Sequence, residues 1–567
     1  MIAGDEPLDV RTSNVDGVPV MWLPVDDVSV TAGLVFRVGR ADEQLARAGV
    51  SHLLEHLALF EVGRAHPDLR FNGQVDQTTT SFFVEGTPAQ VVTFLRDVCQ
   101  RLHDLPAQRL EVERDILRSE SDGRSLSTAP AVLHRWRFGA RGYGLVAWEE
   151  YGLNQLSIED LNAWAARFAT RGNALVWMTG PPSPDLSLPL PDGQRIVVPG
   201  AVDVLPRFPT WFNDGPAPVT AAHSLVARSS AARAMACLLE KRLVQRVRYE
   251  LGASYSPHVA YEPTLPETAE LLVVAEPVAG QEAAVAHEVL TALAAMADGD
   301  ISSESLTAWR DLSARMPTDD PSVLRGALVF RALARLLGSR DMSAEEVQHE
   351  AAAVDATSVA AAAAEAASRA LYRIPEDVKA PPGIVQAPVW SPELDAGRRH
   401  EERRPSPEGE PHVLCAGPIG VSLARNDGNH VSITAGDVEA LLVWPHDLRT
   451  VVGSDAATLD INPAYWHDGP ELLRDLDAMV PLERHVRMRQ DIDAPPGPTG
   501  VGEPVGVWLL FVGLLVLLGA LVVALFIGVA SFTLLPLVLL TVGTLRALRF
   551  LQRTRHARGL PRSGWPS

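Results

Sequence analysis

The residues best suited to chemistry lie in the segment GVSHLLEH, residues 49–56, which contains two histidines and a glutamate. On a helix, His52 and His56 stand at positions i and i+4, so both imidazoles project from one face with Glu55 beside them. Two neutral imidazoles and a nearby carboxylate suit Zn²⁺, with the carboxylate placed to take a proton from water. The competing interpretation is a structural histidine pair, which is the commoner role of two histidines on one helix.

A catalytic zinc site needs a third protein ligand, and the segment over residues 110–120 offers two candidates. Glu113 and Glu120 are seven residues apart, which is two helical turns, so they share one face of a helix. One of them can bind the metal while the other orients a ligand. Considered alone, this segment would instead be a solvated, charged helix face with i,i+4 pairs.

Together these two segments resemble the insulinase/pitrilysin family of zinc peptidases, which includes insulin-degrading enzyme and the mitochondrial processing peptidase. The resemblance extends to flanking segments at residues 30–42, 71–84 and 157–179, and it covers roughly residues 1–375. It implies that His52, His56 and Glu120 are the zinc ligands. It also implies that Glu55 is the general base and that Glu113 is the acid supporting the ligands.

A second motif lies in residues 247–256, where Arg248 precedes Tyr255 by seven residues. The family resemblance places these two side chains on the substrate carbonyl and the developing oxyanion, and a fixed cation with a phenol donor would stabilise that charge. Without the resemblance, both would be ordinary structural residues. Asp76 departs from the family pattern, which commonly has an Asn that holds the substrate backbone. Its extra carboxylate would either raise metal affinity or disfavour acidic substrates.

The composition narrows the function classes. The chain of 567 residues carries 70 Asp and Glu against 50 Lys and Arg, a formal net charge of −20. This charge argues against a nucleic-acid partner, because phosphate binding needs a basic field. The three cysteines, Cys99, Cys237 and Cys415, are far apart and form no CxxC pair. They exclude a disulfide scaffold and a thiolate zinc site, and they favour a reducing compartment.

The elements that must position these residues divide the chain into several regions. Residues 1–200 and 205–375 each show a strand, a helix, two strands and further helices, which predicts two homologous α/β-sandwich-like peptidase halves. A Pro- and charge-rich linker over 376–410 leads to a small α+β module over 411–490, which resembles a pleckstrin-homology domain. A second linker follows over 491–504. The expected fold class is therefore α+β.

The C-terminal region has a different composition, since residues 505–545 contain no charged residue. A single helix of that length would measure about 60 Å, twice the hydrocarbon thickness of a bilayer. The sequence therefore predicts a transmembrane hairpin over 505–550 and a basic tail over 551–567. Arginines on both sides predict that both ends, and the peptidase halves, face the cytoplasm from the cytoplasmic membrane. The alternative is a buried helical hairpin of a soluble protein.

With the metal-ligand candidates above, the family resemblance implies a Zn²⁺-dependent endopeptidase that hydrolyses short unfolded peptides. The resemblance further implies a homodimer, in which two copies of the two-half chain enclose one chamber. The alternative is a catalytically inactive family member that acts as a scaffold or assembly subunit, although such members usually lose motif residues that are intact here. A third hypothesis makes the module over 411–490 a platform for substrate or a lipid headgroup, but its mixed charges show no basic face.

Overall fold

The computed structural model describes residues 10–489, with gaps at 24–28, 67, 123–125, 127, 216–217, 264, 316–320, 404–411 and 426–427. Its first part is built on a six-stranded sheet in the order β1-β2-β6-β3-β5-β4. The strands are β1 (Arg11–Val15), β2 (Val18–Trp22), β3 (Val30–Phe36), β4 (Arg70–Val75), β5 (Thr80–Gly86) and β6 (Ala174–Met178). The helices of this part are α1 (Val50–Ala65), α2 (Pro88–Arg101), α3 (Leu110–Asp122), α4 (Ala129–Phe138) and α5 (Ile158–Phe168).

The second part contains another six-stranded sheet, in the order β12-β7-β11-β8-β10-β9. Its strands are β7 (Thr210–Phe212), β8 (Thr220–Ala227), β9 (His258–Glu262), β10 (Thr268–Ala275), β11 (Leu371–Arg373) and β12 (Val385–Gln386). Its helices are α6 (Ser230–Leu243), continued by a π-helical turn over Val244–Glu250, then α7 (Glu282–Ala297), α8 (Ser303–Ala314), α9 (Pro321–Leu337), α10 (Ala344–Ala353) and α11 (Ala356–Ser368).

Five strands of each sheet share one topology. In each, a strand, a helix and two further strands follow in sequence, and a parallel pair of long sequence separation, β2 with β6 or β7 with β11, lies beside the first of those strands. The sixth strands differ, since β1 pairs antiparallel with β2 whereas β12 pairs parallel with β7. The strand next to that pair, β3 or β8, lies in the middle and is almost wholly buried. This correspondence fits the predicted pair of similar halves.

One helix of each half packs on the sheet of the other half. The core of the first half packs α1, α2 and α5 on one face of its sheet, while α9 of the second half covers the opposite face through Leu328, Ala332 and Leu336. Conversely, α4 of the first half packs through Ala129 and Leu133 on the second sheet. The alternation of side chains along the strands gives each sheet two apolar faces, so both need covering.

The module near the C-terminal end of the described residues forms two four-stranded sheets and a helix. Its strands are β13 (Arg398–Glu401), β14 (Val413–Gly417), β15 (Gly420–Ala424), β16 (His430–Thr434), β17 (Val438–Val443), β18 (Arg449–Gly453), β19 (Thr458–Ile461) and β20 (His485–Arg487), and its helix is α12 (Gly469–Met479). The sheet orders are β13-β14-β15-β16 and β19-β18-β17-β20.

The segment predicted as a linker over 376–410 contains two of these strands. β12 pairs with β7 at the edge of the second sheet, and β13 pairs with β14 in the module. Both pairings use backbone groups at a sheet edge, where proline and charged side chains are tolerated. The Pro- and charge-rich composition therefore hid two short edge strands.

The predicted localisation is corrected by the structure. Across residues 10–489, apart from the gaps given above, no helix combines the length and the apolar character that crossing a bilayer requires. A two-helix protein of the cytoplasmic membrane therefore has no support in the described residues, and that prediction is wrong. The charge-free run that suggested it, the hairpin over 505–550, lies outside the described residues, as do the linker over 491–504 and the tail over 551–567.

Candidate metal centre

The candidate centre is formed by one face of α1 and the C-terminal turn of α3. His52 and His56 project from α1 with their ring centroids 5.0 Å apart. Glu120 approaches both rings, with its two carboxylate oxygens each 3.9 Å from an imidazole Nε2. These separations are too long for hydrogen bonds, and they leave space for an ion with metal–ligand bonds of about 2.0–2.2 Å. The structure thus brings together the three residues that the sequence predicted as metal ligands.

Hydrogen bonds hold the two imidazoles in the orientation that metal binding requires. The Nδ1 atom of His52 donates to Glu150, lying 3.1 Å from both carboxylate oxygens, and Nδ1 of His56 donates to Glu113 at 3.4 Å. A proton fixed on Nδ1 leaves the Nε2 lone pair free to bind an ion. The donor set therefore fits Zn²⁺, with about half of the Glu120 side chain exposed on the open side.

The carboxylates that hold the imidazoles are themselves fixed. Glu113 is buried and pairs with Arg109, whose Nη2 lies 2.6 Å from Oε1. Glu150 is buried too and pairs with Arg40 at 2.9 Å. Each cation offsets the cost of burying a carboxylate. Both rings are therefore anchored through a chain of charge-assisted hydrogen bonds.

The start of α1 is anchored by another buried carboxylate, that of Glu43. Glu43 accepts hydrogen bonds from the backbone N–H groups of Gly49 and Ser51, at 2.8 and 2.9 Å. These are donors of the first helical turn that would otherwise lack partners. Burial raises the pKa of Glu43 to about 7, although the two N–H groups oppose that rise. Gly49 adopts φ +95° with Glu150 packed against it, so a side chain there would be strained and crowded.

Glu55 lies on the same face of α1 and is almost fully buried. Its Oε2 is 3.8 Å from Nε2 of His56. Burial raises the pKa of Glu55, and the neighbouring imidazoles partly offset that rise. The opposite side of the carboxylate meets β4 at Gly73, where an added Cβ would overlap Oε1. A glycine at this position thus makes the space that Glu55 occupies.

Comparison with known proteins identifies the fold that carries this site. The sequence matches no protein-family model and no curated protein. Among solved structures, a protease from Helicobacter pylori is similar over 65% of this chain and 99% of its own, at 14% identity and a TM-score of 0.54. A peptidase M16 inactive domain from Pseudomonas fluorescens covers 67% of this chain and 100% of its own, at 15% identity and a TM-score of 0.55. The chain has the insulinase-like M16 fold.

A third solved structure agrees with this assignment. The first half of the periplasmic protease PqqL from Escherichia coli is similar over 65% of this chain and 92% of its own, at 14% identity and a TM-score of 0.51. Identities this low establish the fold alone. Because one M16 structure is a protease and another an inactive domain, the fold leaves activity to be argued from the site.

The predicted Arg–Tyr pair lies in the second M16 half. Arg248 stands in the π-helical turn after α6, and its guanidinium carbon is 4.8 Å from the ring centroid of Tyr255. Tyr255 is 77% exposed. Within the described residues, the ring and charge contacts of Arg248 are to Tyr255 and Tyr249 rather than to the group on α1 and α3. The structure pairs these two residues with each other, and their contacts among the described residues do not include His52, His56 or Glu120.

Asp76 follows β4 at the edge of the first sheet. Its carboxylate accepts a hydrogen bond of 2.7 Å from the Gln74 amide, and its backbone oxygen accepts one of 3.0 Å from the N–H of Arg40. Both contacts place Asp76 in the loop network beside Arg40 and Glu150.

A second group of ligand-type residues joins the two M16 halves. His134 on α4 meets His223 on β8 and Glu270 on β10, with Oε2 of Glu270 at 2.7 and 3.1 Å from the two Nε2 atoms. His223 and Glu270 are buried in the interface, and His134 is partly buried there. These distances are hydrogen bonds, so Nε2 of each histidine carries a proton directed at the carboxylate.

The remaining ring nitrogens fit a hydrogen-bonded network, in which neither Nε2 lone pair is free for a metal. Nδ1 of His134 faces the carbonyl of Pro130 at 2.8 Å, so both nitrogens face acceptors and the ring is an imidazolium. Burial favours the neutral ring, but the hydrogen bond and charge of Glu270 outweigh it and raise the pKa of His134. Nδ1 of His223 faces Arg137 at 3.4 Å and must accept, so that ring is neutral. Burial lowers the pKa of His223 to about 4.

Three important residues were missed by the sequence analysis. Glu150, Glu43 and Gly73 each act on α1 from a distant or irregular segment. An acidic residue shortly before a helix is a weak capping signal that could have singled out Glu43. Glu150 and Gly73 carry no local signal, because only the tertiary fold brings them to α1.

Proposed function

We propose that the protein is a zinc-dependent endopeptidase that hydrolyses short unfolded peptides. The observation that carries this proposal is the convergence of His52, His56 and Glu120, with both Nδ1 atoms anchored and Glu55 buried beside them. Zn²⁺ bound there would supply Lewis acidity that polarises a carbonyl and makes water more acidic. The three residues with N and O donors match the ligand set of catalytic zinc.

Glu55 is the proposed general base and acid. Its carboxylate lies against the His56 imidazole and is kept there by the backbone of Gly73. It takes a proton from the attacking water and returns it to the amine that leaves the cleaved peptide bond. Its burial favours uptake of a proton, which suits a group that must hold one between these two steps.

The edge of the first sheet supports an extended peptide as the substrate. β4 is the last strand of that sheet, and its residues are exposed or half-buried in alternation. An edge strand offers unpaired N–H and C=O groups, with which an extended chain can pair. Because Gly73 on β4 touches Glu55, a peptide paired with β4 would lie beside the general base. A folded protein would present no free extended segment there.

Arg248 and Tyr255 complete the proposal as the groups that stabilise the oxyanion. Their contacts among the described residues of one chain do not include the metal ligands, and the exposure of Tyr255 leaves its phenol free to face another surface. We therefore include a homodimer in the proposal, with two copies enclosing one peptide chamber. Both motifs are present in one chain, so identical copies would suffice.

The test is hydrolysis of a mixed library of unstructured peptides by the full chain. The wild type should cleave peptides with Zn²⁺ and stop when a chelator removes the metal. Glu55→Gln should lose about 10³-fold in kcat/KM, because general acid–base catalysis contributes about 10²–10⁴-fold. Glu61→Gln makes the same change one and a half turns later on α1 and should keep wild-type activity. No cleavage by folded, zinc-loaded wild type would contradict the proposal.

The alternative is an inactive M16 protein that acts as a scaffold or assembly subunit. One structural neighbour, the Pseudomonas fluorescens domain, is an inactive domain with the same fold. In this chain, the intact ligand set with two anchored imidazoles argues for the enzyme. Zinc binding without cleavage of any library peptide would favour the scaffold.

A further inference from the structure

The module over residues 398–489 does not stand apart from the first M16 half. In its β19-β18-β17-β20 sheet, the central strands β17 and β18 are buried on both faces. On one face Leu441 and Val451 pack in the core of the module, and on the other Leu442 and Val452 pack against the first half. Adjacent residues of a strand point to opposite faces, so each strand serves both cores.

The segments that the module covers flank the metal centre. The shared cluster includes Leu45 and Ala46, which lie between Glu43 and the start of α1, and Trp148, which lies two residues before Glu150. Polar contacts follow the same route. Ser454 of the module accepts a hydrogen bond of 3.0 Å from the N–H of Ala140. The indole of Trp148 donates to the neighbouring Gly139 carbonyl at 3.0 Å.

The last described residues make two more contacts with segments that flank the centre. The side-chain amide of Asn154, in the turn after Glu150, donates to the sulfur of Met488 at 3.6 Å. Arg489 pairs with Asp115 at 3.6 Å on α3, one and a half turns before Glu120. At Gly139, φ is +74° and an added Cβ would overlap the Ser454 carbonyl, so the two surfaces meet at backbone distance.

From these contacts we infer that the module is a positioning element of the metal centre, acting through Glu150 on His52. The turn that carries Glu150 leads into a short 3-10 helix over Tyr151–Asn154, and the module supplies part of the apolar wall behind it through Leu442 and Val452. A carboxylate that orients a ligating imidazole typically changes metal affinity about 10–100-fold. A substitution that removes these apolar contacts should therefore weaken zinc binding, although the proposed zinc ligands all lie outside the module.

The inference rests on the proposed zinc site, and its test separates the two. Zinc affinity is measured by chelator competition on the full chain carrying Leu442→Ala, with Ile419→Ala as the control. Ile419 is an exposed apolar residue of the same module, 60% exposed and outside the interface. Leu442→Ala should weaken zinc binding about 10-fold, and Ile419→Ala should leave it unchanged. A wild type that binds no zinc would defeat the proposed function, whereas equal affinity in wild type and Leu442→Ala would overturn this inference alone.

A double-mutant cycle with Glu150→Gln distinguishes positioning from general loss of stability. If the module acts through Glu150, the double variant should bind zinc about as weakly as Glu150→Gln alone, because the second change has nothing left to disturb. If the losses of zinc affinity in the two single variants simply add in the double variant, the module does not act through Glu150. The Co²⁺-substituted protein gives a second readout, since a displaced imidazole should alter its visible absorption in Leu442→Ala but not in Ile419→Ala.

Amide hydrogen exchange of the wild type, with and without Zn²⁺, tests the inference even if Leu442→Ala does not fold. Coupling between two sites is reciprocal, so zinc should also stabilise the module where it meets the first half. Adding Zn²⁺ should slow exchange in β17 and β20 but not in β14 or β15, which belong to the other sheet of the module. Exchange in β17 and β20 that is unchanged on zinc binding would overturn the inference.

Discussion

Two groups of the same composition, each with two histidines and one glutamate, occur in the described part of this molecule. In the first, on α1 and α3, both Nδ1 atoms donate to carboxylates and both Nε2 atoms face an open gap beside Glu120. In the second, between the two halves, both Nε2 atoms donate to Glu270. The groups around the rings, rather than the three residue types, thus decide which group can take a metal.

The partners of each group also explain the difference in role. Around His52 and His56 the neighbouring charges are carboxylates, which favour a cation between the Nε2 atoms. Around His223 the buried Arg137 approaches, and a divalent ion there would meet a fixed positive charge. Arg137 is itself paired with Asp203 at 2.7 Å. The second group therefore joins α4 to β8 and β10 as a buried hydrogen-bonded network.

The largest expected effect separates the two groups by metal binding. His56→Ala should abolish stoichiometric zinc binding, because two ligands do not hold the ion against free chelator. His134→Gln, which removes a histidine from the second group, should retain one zinc per chain. Metal analysis of the purified, folded proteins is the measurement. Loss of zinc in His134→Gln with retention in His56→Ala would reverse the comparison.

The next effect concerns stability against pH. Burial keeps His223 neutral with a pKa of about 4, whereas a histidine in the unfolded chain titrates near 6.5. The stability contributed by this depressed pKa is present above pH 6.5 and is lost as the pH falls towards 4. Between pH 7 and 4.5 the wild type should lose about 2 kcal/mol more than His223→Gln, whose amide donates to Glu270 without titrating.

Urea unfolding of both proteins at the two pH values tests this second prediction. The other titratable groups, including Glu270 and His134, are present in both proteins, so the difference between the two losses reports on position 223. An equal loss in the two proteins would show that His223 does not resist protonation in the interface.

A smaller and more selective effect is expected at Gly73. Gly73→Ala adds a methyl group where the Glu55 carboxylate lies, so Glu55 must move while His52 and His56 keep their partners. Displacing a catalytic group by about 1 Å can cost about 10²-fold in rate. We expect about that loss in kcat with little change in zinc affinity. Gly200→Ala, at a glycine with open space around it, is the control. Zinc and activity lost together would mean that Gly73 supports the whole helix.

The candidate metal ligands and the two similar sheets could be predicted from the sequence, because the patterns that indicate them lie within short segments. His52, Glu55 and His56 share one helical face, and Glu113 and Glu120 share another, so helical periodicity alone brings each set together. The alternating strands and helices likewise indicated two similar sheets. The small α+β module over 411–490 was also predicted, although not that both faces of β17 would be buried.

The rest depended on contacts between distant segments. Glu150 reaches His52 across 98 residues, and His223 reaches Arg137 across 86. The helix α9 was not predicted, and its role in covering the first sheet comes from the fold of the other half. β12 and β13 were hidden because edge strands tolerate proline and charge. The correction on localisation came likewise from the structure, since hydropathy alone had suggested the membrane.

The most direct test of the central claim is anomalous diffraction at the zinc edge from crystals of the full chain grown with Zn²⁺. One strong peak is expected between His52 Nε2, His56 Nε2 and Glu120, and none between His134, His223 and Glu270. A peak at the second group, or a zinc-soaked crystal with no peak at the first, would contradict that claim.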